Sequence, residues 1–296
     1  MKFDFVGRKH YWFIFSALII VTGLTAFFIK GFSYGIEFRG GVLFDVTVEK
    51  PVTVESVRAT LKPLGLAESI IQLAGGREVL IRTLPLDRDE QAKVVDVLKE
   101  EFGIEEIRSI QSVSPAWGRQ ITRAAVIALL LSLVGILVYV SFRFEFKMAV
   151  SAIVALLHDL LIVAGVYALA GRELTPATVA AVLTILGYSL YDTIVIFHRI
   201  MENSKNLAKT TYSQMVNSSI NQVLMRSINT SLTSTLPVFC LLLFGGETLK
   251  DFAFALVVGL ISSTYSSIFI ASPVLSMWKE TEPFYRNLRR KYANIN

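Results

Sequence analysis

Two aspartates and an arginine sit where the sequence is otherwise apolar. Asp192 lies in GYSLYDTIVIFHRI (187–200), Asp159 in LLHDLL (156–161) and Arg226 in MRSINTSLTSTLP (225–237). A carboxylate at the centre of a membrane helix is unfavourable by about 2.5–3.5 kcal/mol, so such groups mark ion or proton pathways. The chemistry they suit is reversible protonation. Counting back from Asp192 by helical turns puts Tyr188, Thr184 and Ala180/Ala181 on its face. Arg226, Asn229/Thr230 and Thr233 share a face of the next span. One span runs inward and the other outward, so Asp192 and Arg226 are expected at similar depths, near the cytoplasmic side, as an ion pair. Protonating Asp192 would then release Arg226. The membrane potential supplies about 2.3 kcal/mol per charge per 100 mV, which biases a two-state element by more than about tenfold. Asp159, as a second buried acid, extends the same expectation.

The last apolar block adds the hydroxyl run SSTYSS (262–267) and small residues at every fourth position: Ala255, Gly259, Ser263, Ser267 and Ala271. The small residues permit close helix packing, and the hydroxyls imply a hydrated interior. Thr184, Tyr188, Thr230, Thr233, Ser263 and Ser267 are therefore the expected polar lining of the bundle. His158 and His198 read as structural or interfacial, because no metal-ligand spacing accompanies them. Cys240 is the one cysteine and forms no intrachain disulfide. No metal and no cofactor is expected, only coupling to protons.

The elements that must position these residues follow from hydropathy. The 296 residues are 53% hydrophobic and 18% charged, with a mean hydropathy of +0.55. The apolar surplus falls in blocks of about twenty, the length a membrane helix needs. Six spans are expected at 11–30, 119–141, 148–169, 176–198, 223–244 and 252–275. The first follows Lys2, Arg8 and Lys9 but reads as an uncleaved helix rather than a signal peptide. Basic residues collect on one side: the N-terminal three, then Arg143, Lys147, Arg199, Lys205, Lys209, Lys279, Arg286, Arg289, Arg290 and Lys291. The positive-inside rule makes that side, and both termini, cytoplasmic. The same asymmetry explains much of the net charge of +5 without nucleic acid.

Four regions result: 1–36, a cytoplasmic N-terminus with the first helix; 37–113, an extracytoplasmic domain; 114–278, helices two to six with the cytoplasmic loop 199–222; and 279–296, a basic cytoplasmic tail. Within the loop, 203–222 reads as a helix lying on the membrane surface. The outer region alternates as a strand at 42–48. It then reads as a helix at 53–65 with a Thr53 cap and a Gly65 stop, followed by two strands flanking Gly75-Gly76. A helix at 87–103 and a strand at 104–113 complete a β-α-β-β-α-β order, the pattern of a small α+β ferredoxin-like domain. It holds no histidine, cysteine or phosphate loop.

Together these features resemble the SecD/SecF family of the bacterial Sec protein-export machinery, in its smaller, SecF-type form. The resemblance covers nearly the whole chain. It is carried by GIEFRGG (35–41), GYSLYDTIVIFHRIMEN (187–203), QVLMRSINTSLTS (222–234) and SSIFIASPV (266–274). It implies half of a resistance-nodulation-division bundle: six helices with a domain between the first two, SecD supplying the other six. It also implies assistance, driven by the proton motive force, to polypeptides leaving the SecYEG channel, in the bacterial inner membrane. YajC, YidC, the translocating polypeptide and membrane lipids are the further implied partners. By position, Asp192 and Arg226 fall where the family has its membrane acid and arginine. Gly35, Glu37, Phe38, Gly40 and Gly41 match its glycine signature, whose role is structural. Tyr191 stands where an asparagine is expected, and His198 where an acid is expected. The competing readings are an exporter of small molecules or lipids, and an intramembrane aspartyl protease using Asp159 and Asp192. The first lacks a second half-bundle, and the second lacks the Gly-x-Gly-Asp element.

Overall fold

The structure, a computed structural model, describes residues 3–205, 207 and 210–292. The basic positions Lys2 and Lys209 and the end of the tail, 293–296, lie outside the described residues. The chain forms two compact units, one of residues 34–126 and one of residues 1–33 with 127–296.

The 34–126 unit follows the expected element order. A short helical turn, α2 (Ile36–Arg39), leads into β1 (Gly41–Val48), α3 (Val54–Leu61), β2 (Ile70–Ala74), β3 (Glu78–Thr83), α4 (Arg88–Phe102) and β4 (Ile104–Val113). The strands lie in the order β2-β3-β1-β4, with every neighbouring pair antiparallel. Alternation decides the face. Val42, Phe44, Val46 and Val48 of β1 point inward onto Val57 and Leu61 of α3 and Val94 and Leu98 of α4. Both helices start with a reciprocal cap. The Thr53 hydroxyl accepts from the Ser56 amide at 3.2 Å, and the Asp87 carboxylate accepts from the Glu90 amide at 2.7 Å.

The glycine signature has a steric reason. At Gly40 φ is +79°, and an added Cβ would stand 2.8 Å from the Pro115 nitrogen. At Gly41 φ is +143°, and a Cβ would stand 2.2 Å from the Thr83 carbonyl oxygen. Neither position accepts an ordinary side chain. The turn they form meets the start of α5 (Pro115–Arg143), where Gly118 passes against the Phe38 carbonyl.

Among the described residues, six helices are long and apolar enough to cross a membrane, so the chain is a multi-pass helical membrane protein. They are α1 (Lys9–Lys30), α5, α6 (Phe146–Ala170), α7 (Pro176–Ser204), α8 (Tyr212–Phe244) and α9 (Glu247–Ser266). The last of them continues through a π-helical turn, Ser267–Ala271, into α10 (Ser272–Lys279), and α11 (Pro283–Tyr292) follows. The small-residue stripe of α9 is buried as expected. Gly259 faces Ile185 of α7, where a Cβ would lie 2.2 Å from the isoleucine Cδ1. On the other side of the bundle α1 meets α6 backbone to backbone, since a Cβ on Gly23 would lie 2.5 Å from Gly165 Cα. In α5 only Gly118 and Val140 are buried.

One expected element is different. Among the described residues of 203–222 there is no separate surface helix: α7 continues to Ser204, and α8 begins at Tyr212 and runs unbroken into the fifth span. The residues 212–220 looked weakly amphipathic because their apolar side packs within the protein. Tyr212, Met215, Val216 and Ile220 are buried against Phe5, Val6 and Leu275. Asn217 and Asn221 tie the N-terminal segment down by accepting from the Phe5 and Phe3 amides at 2.7 and 3.0 Å.

Candidate functional site

Asp192 is 2% exposed. Its Oδ2 accepts from the Ser231 hydroxyl at 3.2 Å, and Ser231 accepts from Thr264 of α9 at 2.6 Å. The neighbouring Thr193 shares a hydrogen bond with Ser267 at 2.8 Å. The expected pair with Arg226 is not formed. Arg226 is exposed, and among the described residues its side chain makes no ion pair or hydrogen bond. The register explains this: Asp192 is level with Ser231, five residues beyond Arg226, a rise of roughly 7.5 Å along α8. Arg226 instead borders a cavity of about 290 Å³ between α7 and α8, with His198, Arg199, Glu202 and Gln222.

The predicted lining divides in two. Ser263 and Ser267 are buried. Thr184 and Thr233 are exposed and return their hydroxyls to their own helix, to the carbonyls of Ala180 and Asn229. Thr230 is half-buried and bonds the Arg226 carbonyl, and Tyr188 is half-buried with its hydroxyl enclosed. Of the stripe counted back from Asp192, Ala181 lies in the core beside Ile185, whereas Ala180 and Thr184 are exposed and Tyr188 is half-buried. Packing against α9 sets the inner face of α7, and it carries Ile185, Ser189, Asp192 and Ile196. The side chains that reach Asp192, Ser231 and its donor Thr264, gave no signal except that they lie in polar runs.

Asp159 is fully buried and hydrogen-bonded to saturation. Its Oδ1 takes Ser262 at 2.6 Å and His158 Nδ1 at 3.3 Å; its Oδ2 takes Ser189 at 2.7 Å and Ser266 at 2.8 Å. Three serine donors and the imidazole contact together occupy the lone-pair positions of this carboxyl group. From the far edge of the imidazole a second chain runs outward. His158 Nε2 meets Ser16 Oγ at 3.1 Å, Ser16 donates to the Tyr265 hydroxyl at 3.1 Å, and Tyr265 donates to the Trp12 carbonyl at 2.8 Å. His158 is therefore part of this network, as well as stacked 5.9 Å from the Tyr265 ring. Asp159 and Asp192 share no hydrogen-bond donor among the described residues. Both sets of donors draw on one stretch of α9, 262–266, directly before the π-helical turn. Such turns recur at functional sites in helices.

Residues 93–281 match the family "Protein export membrane protein SecD/SecF, C-terminal", and residues 25–52 match the "SecD/SecF GG Motif". The first match takes in more than half of the chain. The chain belongs to the SecD/SecF family. It is 41% identical to the protein translocase subunit SecF of Mycobacterium tuberculosis, over 98% of this chain and 70% of that one. To the SecF of Thermobaculum terrenum it is 37% identical, over 97% of each. The crystal structure of SecDF from Thermus thermophilus, described as a translocon-associated membrane protein, superposes with a TM-score of 0.88 at 39% identity. That match covers 95% of this chain and 39% of the other, so the chain spans about two fifths of a SecDF. A SecDF structure in a super-membrane-facing form matches with a TM-score of 0.72 at 38% identity, over 98% of this chain and 40% of that one. Both the glycine turn and the bundle holding the two aspartates thus fall within segments matched to SecD/SecF families.

Proposed function

We propose that the chain is a SecF-type subunit of the Sec pathway. With a SecD partner it uses the proton motive force to assist polypeptides crossing the cytoplasmic membrane through SecYEG. The observation that carries this reading is Asp192: a buried carboxylate facing a single serine hydroxyl, with no cationic side chain bonded to it among the described residues. In a low-dielectric bundle that group is stable when protonated and exposed to strong forces when not, which is what a proton carrier needs. Arg226, without an ion-pair or hydrogen-bond partner for its side chain among the described residues and bordering the α7–α8 cavity, serves in this reading as the movable cation.

Placement supports the rest. The 34–126 unit, with its β-α-β-β-α-β order, reads as a ferredoxin-like domain on the extracytoplasmic side, and both termini as cytoplasmic. The Thermus thermophilus SecDF carries a segment similar to this chain within one longer polypeptide, which supports SecD as the partner. YajC and YidC are further candidates. In this role the chain catalyses no covalent chemistry and needs no metal or cofactor. The separate donor sets of Asp159 and Asp192 stand against an aspartyl-protease dyad, in which two carboxylates share a proton.

The test is export in a strain carrying only the Asp192→Asn variant, measured with and without an uncoupler. The variant is expected to assemble normally and to lose the uncoupler-sensitive part of export. Export that stays fully uncoupler-sensitive would overturn the assignment.

A further inference from the structure

The function proposed for Asp192 leaves His158 and Asp159 unused, although both are ionisable, buried and bonded to three other helices, α1, α7 and α9. The direction of their hydrogen bonds counts protons. A backbone carbonyl only accepts, so the Tyr265 proton points at the Trp12 oxygen. The Tyr265 oxygen then accepts from Ser16, which uses the single Ser16 proton. Ser16 Oγ must therefore accept from His158 Nε2, and that nitrogen carries a proton. On the other edge of the ring, Nδ1 and Asp159 Oδ1 need one more proton between them. It sits on the imidazole or on the carboxyl. Either way the pair holds one proton more than a neutral histidine beside a carboxylate, and its net charge is zero.

We infer that the His158–Asp159 pair is a second proton-binding site, and that it loads and discharges through Ser16 and Tyr265. The inference rests on the proton-driven reading given above. Discharge needs only three hops. The Nε2 proton passes to Ser16, the Ser16 proton passes to Tyr265, and the former Tyr265 proton leaves to water. One N–H bond and two O–H bonds break, and two O–H bonds form within the chain. One proton enters solvent, and one negative charge stays on the pair. Trp12 and Tyr265 line a cavity of about 710 Å³, together with Ser231 and Thr264 from the Asp192 side; its walls are almost wholly apolar, so discharge requires water to enter it beside the Tyr265 hydroxyl. Tyr265, at the end of the Asp159 chain, and Ser231, bonded to Asp192, thus border the same cavity.

The hops also reverse the chain. Afterwards Ser16 donates to Nε2, Tyr265 donates to Ser16, and the Trp12 carbonyl has lost Tyr265. The Trp12 carbonyl is therefore bonded to Tyr265 in the loaded state and not in the discharged one, while Ser16 and Tyr265 stay bonded in both. The groups facing the pair are few. α6 supplies only the pair itself, α9 supplies Tyr265, Ser262 and Ser266, α7 supplies Ser189, and α1 supplies Ser16. Asp192, the other ionisable group of this stretch of α7, bonds to α8 instead.

The chain has three histidines, His10, His158 and His198, so nitrogen NMR of the ¹⁵N-histidine-labelled protein, reconstituted with SecD in bilayers, can follow His158. His10→Gln and His198→Gln variants assign the other two. As the pH rises from about 5 to 9, a range that spans histidine titration, Nε2 is expected to lose its proton while Nδ1 keeps one. An Nε2 that stays protonated throughout, or is unprotonated throughout, would overturn the proposal. Tyr265→Phe and Ser16→Ala should each slow proton-driven export on the order of tenfold, and the double variant should be no slower than either. Additive losses would mean that the two residues serve packing alone. Asp192→Asn separates the two readings: it should abolish force-driven export and leave the His158 titration in place. If it leaves export intact, the Asp192 assignment fails while the NMR result still decides the second site.

Discussion

Replacing each buried aspartate by asparagine should have very unequal effects on stability, although the chemical change is the same. Asp159 accepts four hydrogen bonds, two on each oxygen. An asparagine presents one carbonyl oxygen and one NH₂, so two of the four donors face an N–H. Losing two bonds to a charged acceptor, at about 1.5–3 kcal/mol each, removes roughly 3–6 kcal/mol. Serine rotation recovers part of this, because Ser266 also reaches the Ser263 carbonyl at 3.2 Å. Asp192 accepts one hydrogen bond, at 3.2 Å. Asparagine keeps that bond by turning its carbonyl toward Ser231, so the change should stay within about 1 kcal/mol. Thermal unfolding of the two purified variants in the same detergent tests the contrast. Asp159→Asn should lower Tm on the order of 10 °C and Asp192→Asn by a small fraction of that. Equal shifts, or a larger one for Asp192→Asn, would show that hydrogen-bond saturation is not what holds Asp159 in the bundle.

Gly23→Leu should separate α1 from α6 and destabilise the bundle by about 1–3 kcal/mol, whereas Gly135→Ala, with open space around its Cβ, should be silent in the same melting assay. Gly41→Ala should open the 34–126 unit to limited proteolysis, because the new Cβ meets the Thr83 carbonyl at 2.2 Å; Gly76→Ala, with nothing within 4 Å, should give a much weaker effect. Beyond the last span, burial alone would raise the Glu282 carboxyl, but Lys147 at 2.9 Å and Lys279 at 3.4 Å together hold it below the usual carboxylate range. A depressed folded pKa means stabilisation that is present above the unfolded value and lost as pH falls through the folded one. Glu282→Gln should therefore lower Tm at neutral pH, and the gap between variant and parent should close below the ordinary carboxylate pKa of about 4.3.

The spans were legible because hydropathy alone fixes them, and the 34–126 elements because caps, glycine turns and alternation agree there. What failed was each inference that needed a neighbouring helix. Asp192 and Arg226 looked like partners by sequence distance from the membrane edge. That estimate assumed α8 begins at the membrane, whereas it begins at Tyr212 and enters through a packed cluster. The face of α7 was assigned from its polar residues, but the close approach of Gly259 to Ile185 decides it. Asp159 drew attention as a lone acid. Its donors come from α6, α7 and α9, and no single-helix periodicity could gather them.

The long sequence separations in the Asp159 network bear on how the protein is made. Tyr265 meets Ser16 and Trp12 across 249 and 253 residues, and three of the four Asp159 donors are synthesised after it. α1 and α6 are therefore made before Ser189, Ser262, Tyr265 and Ser266 exist to complete the network. Only the arrival of the final helix supplies Ser262, Tyr265 and Ser266 together. The polar network around Asp159 is thus closed only when the last span is in place, so its completion marks the end of assembly.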